Sequence, residues 1–333
     1  MIDIENAPTI PGLKFRLYQG ETDHAQIAVV LMASELADQM IRQVSPGDIA
    51  SAYQRMSNCD PHRDIIFAEV DAEMVGYSRG WWSEESPTQW IYTHNGFLVP
   101  GWRRRGIGQC MLNWMETHLS QVAAAHPQEM VKLYQVNTTQ YQKGTAIMLE
   151  RSGYQPRRYY YEMVRHSLDE IPEIPLPAGL EIRPVQPDHY RSIWQLTVET
   201  SQDEWGQKIL TEADYHEWLE SSLFQPDLWQ VAWDITTQLP VGEVLGYIHH
   251  DENKQFNRKR GYTEGVGVTR SWRRRGLARA LISRSLQAQK AAGMTESALV
   301  ADSANTNDVT RLYESCVFQI VKCDTLYRKL LSV

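Results

Sequence analysis

One run of residues occurs twice in this chain: Trp102-Arg103-Arg104-Arg105-Gly106-Ile107-Gly108 and Trp272-Arg273-Arg274-Arg275-Gly276-Leu277-Ala278. Side chains of these types at this spacing hold anions. Guanidinium groups donate charge-assisted hydrogen bonds, and glycine lets the backbone come close to a phosphate. Where such a turn opens a helix, unpaired N–H groups and partial positive charge at the helix start add to the attraction. A single copy reads equally well as a solvated basic turn. Five identical residues repeated 170 positions apart (Arg103 and Arg273) are hard to attribute to chance.

The surroundings repeat as well. Gln89 to Val99 and Arg260 to Thr269 alternate polar and apolar residues as strands do, and each leads into its loop. After the loops, Met111, Met115, Leu119 and Val122 fall on one helical face, as do Leu277, Leu281 and Ile282. Further on, Leu149-Glu150-Arg151-Ser152-Gly153-Tyr154 matches Tyr313-Glu314-Ser315-Cys316-Val317-Phe318, and aromatic strands at Tyr159 to Val164 and Leu326 to Leu331 close the halves. Three prolines within Pro172 to Pro177 predict a stiff linker. The expected organisation is a first domain over 1–167, a linker over 168–178 and a second domain over 179–333. Each half reads as strand, helices, three strands, helix, strand, helix, strand. That is an α/β (layered α+β) unit with a mixed, mostly antiparallel sheet flanked by helices.

Composition narrows the function. The chain has 333 residues, 42% of them hydrophobic, enough for two packed cores. A net charge of −8 argues against a general nucleic-acid binder, which needs a basic face. No apolar run approaches the roughly 18 residues of a membrane span, and Met1 to Glu5 lacks the pattern of a signal peptide, so a cytoplasmic protein is expected. Cys59, Cys110, Cys316 and Cys323 lack metal-ligand spacing, and His249-His250 reads as a loop pair, so no metal site is expected. Lys254 to Arg260 reads as a hairpin between strands.

The pattern Arg-x-x-Gly-x-Gly/Ala, preceded by Leu98-Val99-Pro100 in the first half, resembles motif A of the GCN5-related N-acetyltransferases. It is neither a nucleotide P-loop, since no Gly-Lys-Ser/Thr follows, nor a Rossmann fingerprint. The tandem layout and Asp203-Glu204-Trp205-Gly206 look most like the mycothiol synthase type of double-domain acetyltransferase. The resemblance implies that the loops hold the pyrophosphate of acetyl-CoA. The implied contacts are Phe97, Leu98, Val99, Arg103, Arg104, Arg105, Gly106, Ile107 and Gly108 in the first half. In the second they are Val266, Gly267, Val268, Arg273, Arg274, Arg275, Gly276, Leu277, Ala278 and Asn307.

The family's reaction, direct attack of an amine on the thioester, needs a base, a carbonyl-oxygen donor and an acid for the leaving thiolate. By resemblance, Tyr313 is the acid and the N–H of Val268 (Leu98 in the first half) is the donor. The base is Glu264 or Glu204. The first-half counterparts of Tyr313, Asn307 and Glu264 are Leu149, Lys143 and His94. Leucine donates no proton, so catalysis is expected in the second half, with the first binding CoA weakly or serving structure. Val317, where the family has glycine, is expected to tolerate the turn poorly. The expected activity is acetyl transfer to a primary amine of a small molecule. The rivals are a non-catalytic acyl-CoA sensor and a protein or peptide N-acetyltransferase.

Overall fold

The structure, a computed structural model, describes residues 2–40, 44–202, 210–303 and 309–331. The chain divides into two units. Unit 1 comprises Met1–Arg157 and Thr325–Val333, and unit 2 comprises Arg158–Asp324.

Unit 1 begins with β1 (Leu13–Leu17), α1 (His24–Ala37), α2 (Pro46–Gln54) and the short α3 (Pro61–Asp64). Three strands follow, β2 (Ile65–Val70), β3 (Glu73–Ser86) and β4 (Gln89–Leu98), then α4 (Ile107–Ala124), β5 (Val131–Thr139) and α5 (Lys143–Arg151). Strands β1 to β4 pair antiparallel in sequence order, while β4 and β5 run parallel. The apolar face of α4 covers one side of this sheet through Met111, Met115 and Leu119, and α1 covers the other through Ile27 and Val30. Burial of each such side chain contributes about 1.5–3 kcal/mol.

Strand β6 (Gln155–Arg165) carries the chain into unit 2. There β7 (Leu180–Ile182), α6 (Tyr190–Ser201), α7 (Glu212–Glu220), β8 (Gln230–Asp234) and β9 (Pro240–Val244) repeat the first plan. They are followed by α8 (His250–Gln255), β10 (Arg260–Tyr262), β11 (Gly267–Val268), α9 (Leu277–Ala291), β12 (Glu296–Asp302), α10 (Val309–Ser315) and β13 (Gln319–Leu330). One run of strands is β6-β12-β10 and another is β11-β9-β8-β7. Helix α7 starts at a capping box, in which Thr211 and Asp214 satisfy each other's backbone N–H.

Three features differ from the expectation. The passage between units lies inside β6, at Arg157/Arg158, not in the proline-rich segment. That segment packs along α9 within unit 2: Ser283 donates to the Pro172 carbonyl, and Arg284 donates to the Ile174 carbonyl at 2.7 Å. The last strand, expected to close the second domain, ends in unit 1, where the Leu331 N–H donates to the Lys132 carbonyl at 2.9 Å. Finally, residues 250–255 form a helix, not part of a hairpin, because His249 caps it by accepting from the Glu252 N–H at 3.2 Å. Among the described residues, no helix is long and apolar enough to cross a membrane.

Candidate active site

The two arginine loops have the same backbone. In each, a single 3-10 turn (Pro100–Trp102 or Arg270–Trp272) is followed by an extended arginine, with φ −68° and ψ 158° at Arg103 and φ −64° and ψ 157° at Arg273. The next arginine is left-handed (φ 64° at Arg104, 60° at Arg274), and so is the glycine that starts the helix (φ 88° at Gly106, 84° at Gly276). A side chain at that glycine would be strained, which accounts for the residue type. Neither glycine receives a side-chain cap, and the first intrahelical bonds are Cys110 N–H and Ala280 N–H to Gly106 and Gly276 carbonyls, both 3.1 Å. The N–H groups of Ile107 to Gln109, and of Leu277 to Arg279, therefore point out of the helix ends. Arg104, Arg105, Arg274 and Arg275 are exposed, and Arg105 and Arg275 lie over Trp102 and Trp272 at 4.7 and 4.8 Å. Amides, left-handed backbone and exposed guanidinium groups together fit a diphosphate.

The first arginine of each loop is tied back to its own strand, and one detail above the glycine separates the two loops. Arg103 forks onto Asp38 (2.6 and 3.0 Å), with further bonds to the Ser34 hydroxyl (2.8 Å) and the Leu98 carbonyl (3.2 Å). It is a strut between the loop and the end of α1, not a free phosphate donor. Arg273 keeps the equivalent bond to the Val268 carbonyl at 3.0 Å. Above Gly106 sits Pro8, 3.4 Å from where a Cβ would stand, whereas at Gly276 none of the described residues comes within 4 Å of that point.

The strand before each loop parts from its parallel neighbour. In unit 1 the β4–β5 ladder ends at Thr93 and Gln135, and in unit 2 the β10–β12 ladder ends at Tyr262 and Ala298. Unit 2 adds a bulge. Tyr262 faces Tyr247 and Gly267 faces Glu243, so five steps on one strand oppose four on the other. The β3–β4 ladder of unit 1 runs from Gly76/Leu98 to Glu84/Trp90 without such a step. Thr269 N–H donates to the Val241 carbonyl at 3.0 Å, so Val268, opposite Gly242, lies at a non-hydrogen-bonded position. Its N–H points away from β9, toward the opening. The Leu98 N–H does the same, because Val99 N–H takes the Val75 carbonyl at 2.9 Å.

Glu264 stands at the mouth of this opening, half-buried, and one carboxylate oxygen accepts the Val300 N–H at 3.2 Å. His94, its counterpart, is buried and shares a 2.7 Å hydrogen bond with the Tyr154 hydroxyl. Burial, aided by Lys329, pushes its pKa down to about 3. His94 is thus a neutral core histidine. Tyr313 is buried in the same apolar cluster as Val266, Val268, Leu277 and Phe318, with its ring edge-on to Phe318. Leu149 occupies the matching place in unit 1 beside Leu98 and Ile107. Phe97 and Val99 pack in the α1-side core of unit 1. Ala278 and Gly108 occupy the second position of α9 and α4, where a Cβ on Gly108 would stand 3.3 Å from Leu98. Glu204 and Asn307 lie outside the described residues.

Glu243 is not among the site residues expected from sequence. It is a lone carboxyl in the apolar strand Val241 to Val244, 1% exposed, and burial pushes its pKa up to about 8. A charged residue type inside so apolar a run was the available signal.

Comparison with known proteins fits this geometry. Residues 190–318 match the acetyltransferase (GNAT) family. A mycothiol acetyltransferase of Geodermatophilus obscurus is 24% identical over 278 residues, covering 80% of this chain and 82% of the relative. A GCN5-related N-acetyltransferase from Sphaerobacter thermophilus superposes with a TM-score of 0.75 at 22% identity, covering 98% of both chains. A tandem GNAT protein from the clavulanic acid biosynthesis pathway gives 0.63 at 14% identity, covering 96% of this chain and 99% of that one. The chain is a tandem of two GNAT folds, and the stretch that matches the acetyltransferase family lies within its second unit.

Proposed function

We propose that unit 2 transfers an acetyl group from acetyl-CoA to the primary amine of a small molecule. The observation that carries this reading is the bulge at residues 264–267, which leads directly into the loop that ends at Gly276, the N-cap of α9. When bound, acetyl-CoA supplies an activated acetyl thioester. The N–H groups at the start of α9, with Arg274 and Arg275, hold its diphosphate. The Val268 N–H donates to the thioester oxygen as negative charge develops there. Glu264, directly or through water, takes the proton of the attacking amine. Tyr313 protonates the departing sulfur, which a phenol can do without being ionised beforehand.

Unit 1 retains the loop but has Leu149 in place of the phenol and a buried, neutral His94 in place of the carboxylate. We assign it a structural or weakly CoA-binding role. The mycothiol acetyltransferase relative supports a small-molecule acceptor over a protein one.

The test is release of CoA thiol from acetyl-CoA across a panel of primary amines, with Tyr313→Phe beside the wild type. Turnover by the wild type, cut about 100-fold or more in the variant with CoA affinity kept, is the expected result. Unchanged turnover in Tyr313→Phe removes the acid assignment. A silent panel with retained CoA binding favours an acyl-CoA sensor.

A further inference from the structure

Glu243 lies on β9 opposite Gly267, and the two residues share the α6 face of the sheet. The alternation is explicit in the glycines. A Cβ at Gly242 would strike Leu277 of α9 at 2.9 Å, whereas one at Gly267 would strike the Thr200 hydroxyl of α6 at 2.5 Å and Glu243 Oε1 at 3.1 Å. Around the carboxyl stand Thr197 and Thr200 of α6, Val231 of β8 and Gly267 of β11, none of them charged or titratable.

The hydrogen bonding is half complete. Thr197 Oγ1 lies 2.9 Å from Glu243 Oε1 and 3.2 Å from the Ile193 carbonyl. A hydroxyl has one proton to donate. Both contacts are satisfied if Glu243 is protonated and donates to Thr197, which then donates to Ile193. Oε2 has no partner among the described residues. A carboxyl buried without a counter-charge is costly, and valine or leucine would serve a purely structural role at this place better. Unit 1 shows the alternative: the matching positions are Phe97 and Tyr77, whose rings stack at 6.1 Å and fill the space. In unit 2 the same volume holds a carboxyl, one residue along the pairing from the Val268 N–H that faces the opening.

We propose that Glu243 is the seat of the acceptor's ammonium group, a positioning residue on the α6 face that selects a cationic primary amine. This rests on the amine-acetylating reading of unit 2. Binding is balanced by one proton: R–NH3+ and the neutral acid give an R–NH3+/carboxylate pair, and the acid's proton leaves to solvent. The ammonium donates to Oε2 and supplies a counter-charge that none of the described residues around the carboxyl provides.

Calorimetry on the full chain with CoA present, at pH 6.5 in buffers of different ionisation enthalpy, tests this with ethanolamine, glucosamine and putrescine as probes. The expected result is close to one proton released per amine bound, with Glu243→Gln binding at least about tenfold weaker and releasing none. In turnover, the same variant should raise KM for the amine about tenfold and leave KM for acetyl-CoA unchanged. Binding without proton release, no binding by any of the three amines, or a wild-type KM in Glu243→Gln overturns the proposal. If the variant does not fold, the infrared carbonyl band of the buried acid in the wild type decides: loss of the band on adding amine supports the seat, and an unchanged band overturns it. Proton-linked amine binding without release of CoA thiol would leave the seat standing and remove the acetyl-transfer reading.

Discussion

Units 1 and 2 present the same seven-residue turn with nearly the same dihedral angles, yet the turn is embedded differently in each. In unit 1 Pro8 lies over Gly106, and an aromatic stack of Tyr77 and Phe97 fills the α1 face. In unit 2 no described residue stands within 4 Å over the glycine, the preceding strand bulges, and a carboxyl takes the place of the aromatic ring. An anion loop is thus a local device that survives duplication. Its use depends on neighbours contributed by distant segments, and those have diverged.

The sharpest way to break the comparison is to spoil each loop in turn. Valine at a left-handed position costs on the order of 1–3 kcal/mol and tilts the first-turn amides. Gly276→Val should weaken acetyl-CoA binding about 100-fold, and Gly106→Val should leave it within about threefold, both read by titration calorimetry. Equal losses would make the loops equivalent.

Opposite pH responses give the next test. His94 is neutral in the folded chain down to about pH 3 but charged in the unfolded chain below about 6.5. The unfolded state therefore binds more protons, and this contribution to stability is lost as pH falls from about 6.5 toward 3. Glu243 is protonated in the folded chain up to about pH 8 but ionised in the unfolded chain above its ordinary 4.5. Here the folded state binds more protons, so the contribution is full below 4.5 and is lost as pH rises toward 8. Each group sets a slope of about 1.4 kcal/mol per pH unit within its window. Urea melts of His94→Gln and Glu243→Gln should flatten the acid and the neutral windows respectively.

Smaller effects sharpen the assignment of single residues. Arg103→Met should lower stability by about 1–2 kcal/mol, since it leaves Asp38 buried without its partner, while acetyl-CoA affinity stays the same. A large loss of affinity would return Arg103 to the phosphate site. Val317 holds a left-handed turn (φ 66°) where unit 1 uses Gly153 (φ 87°). Val317→Gly should therefore raise stability by about 1 kcal/mol in a thermal melt.

These contrasts also mark what could be read from sequence. The loops, the helix faces and the strain at Val317 are local, and the residues announce them. The bulge is masked because Arg260 to Thr269 alternates like an uninterrupted strand; Gly265, left-handed at φ 58°, was a trace of it. The Arg103–Asp38 pair joins positions 65 residues apart, beyond any spacing argument. The destination of the last strand was equally invisible: neither Tyr159 to Val164 nor Leu326 to Leu331 carries a residue pattern that says which strand it pairs with. Glu243 was legible as a carboxylate in an apolar strand, but its setting depends on Thr197, 46 positions away, which no local pattern joins to it.

The route of the chain through β6 and β13 has a consequence for biosynthesis. Unit 2 is one uninterrupted stretch, Arg158–Asp324, while unit 1 needs both Met1–Arg157 and Thr325–Val333. As the chain leaves the ribosome, unit 2 can finish before its forerunner, which must wait with an unfilled sheet edge until residues beyond 324 emerge. The unit translated first is the one completed last.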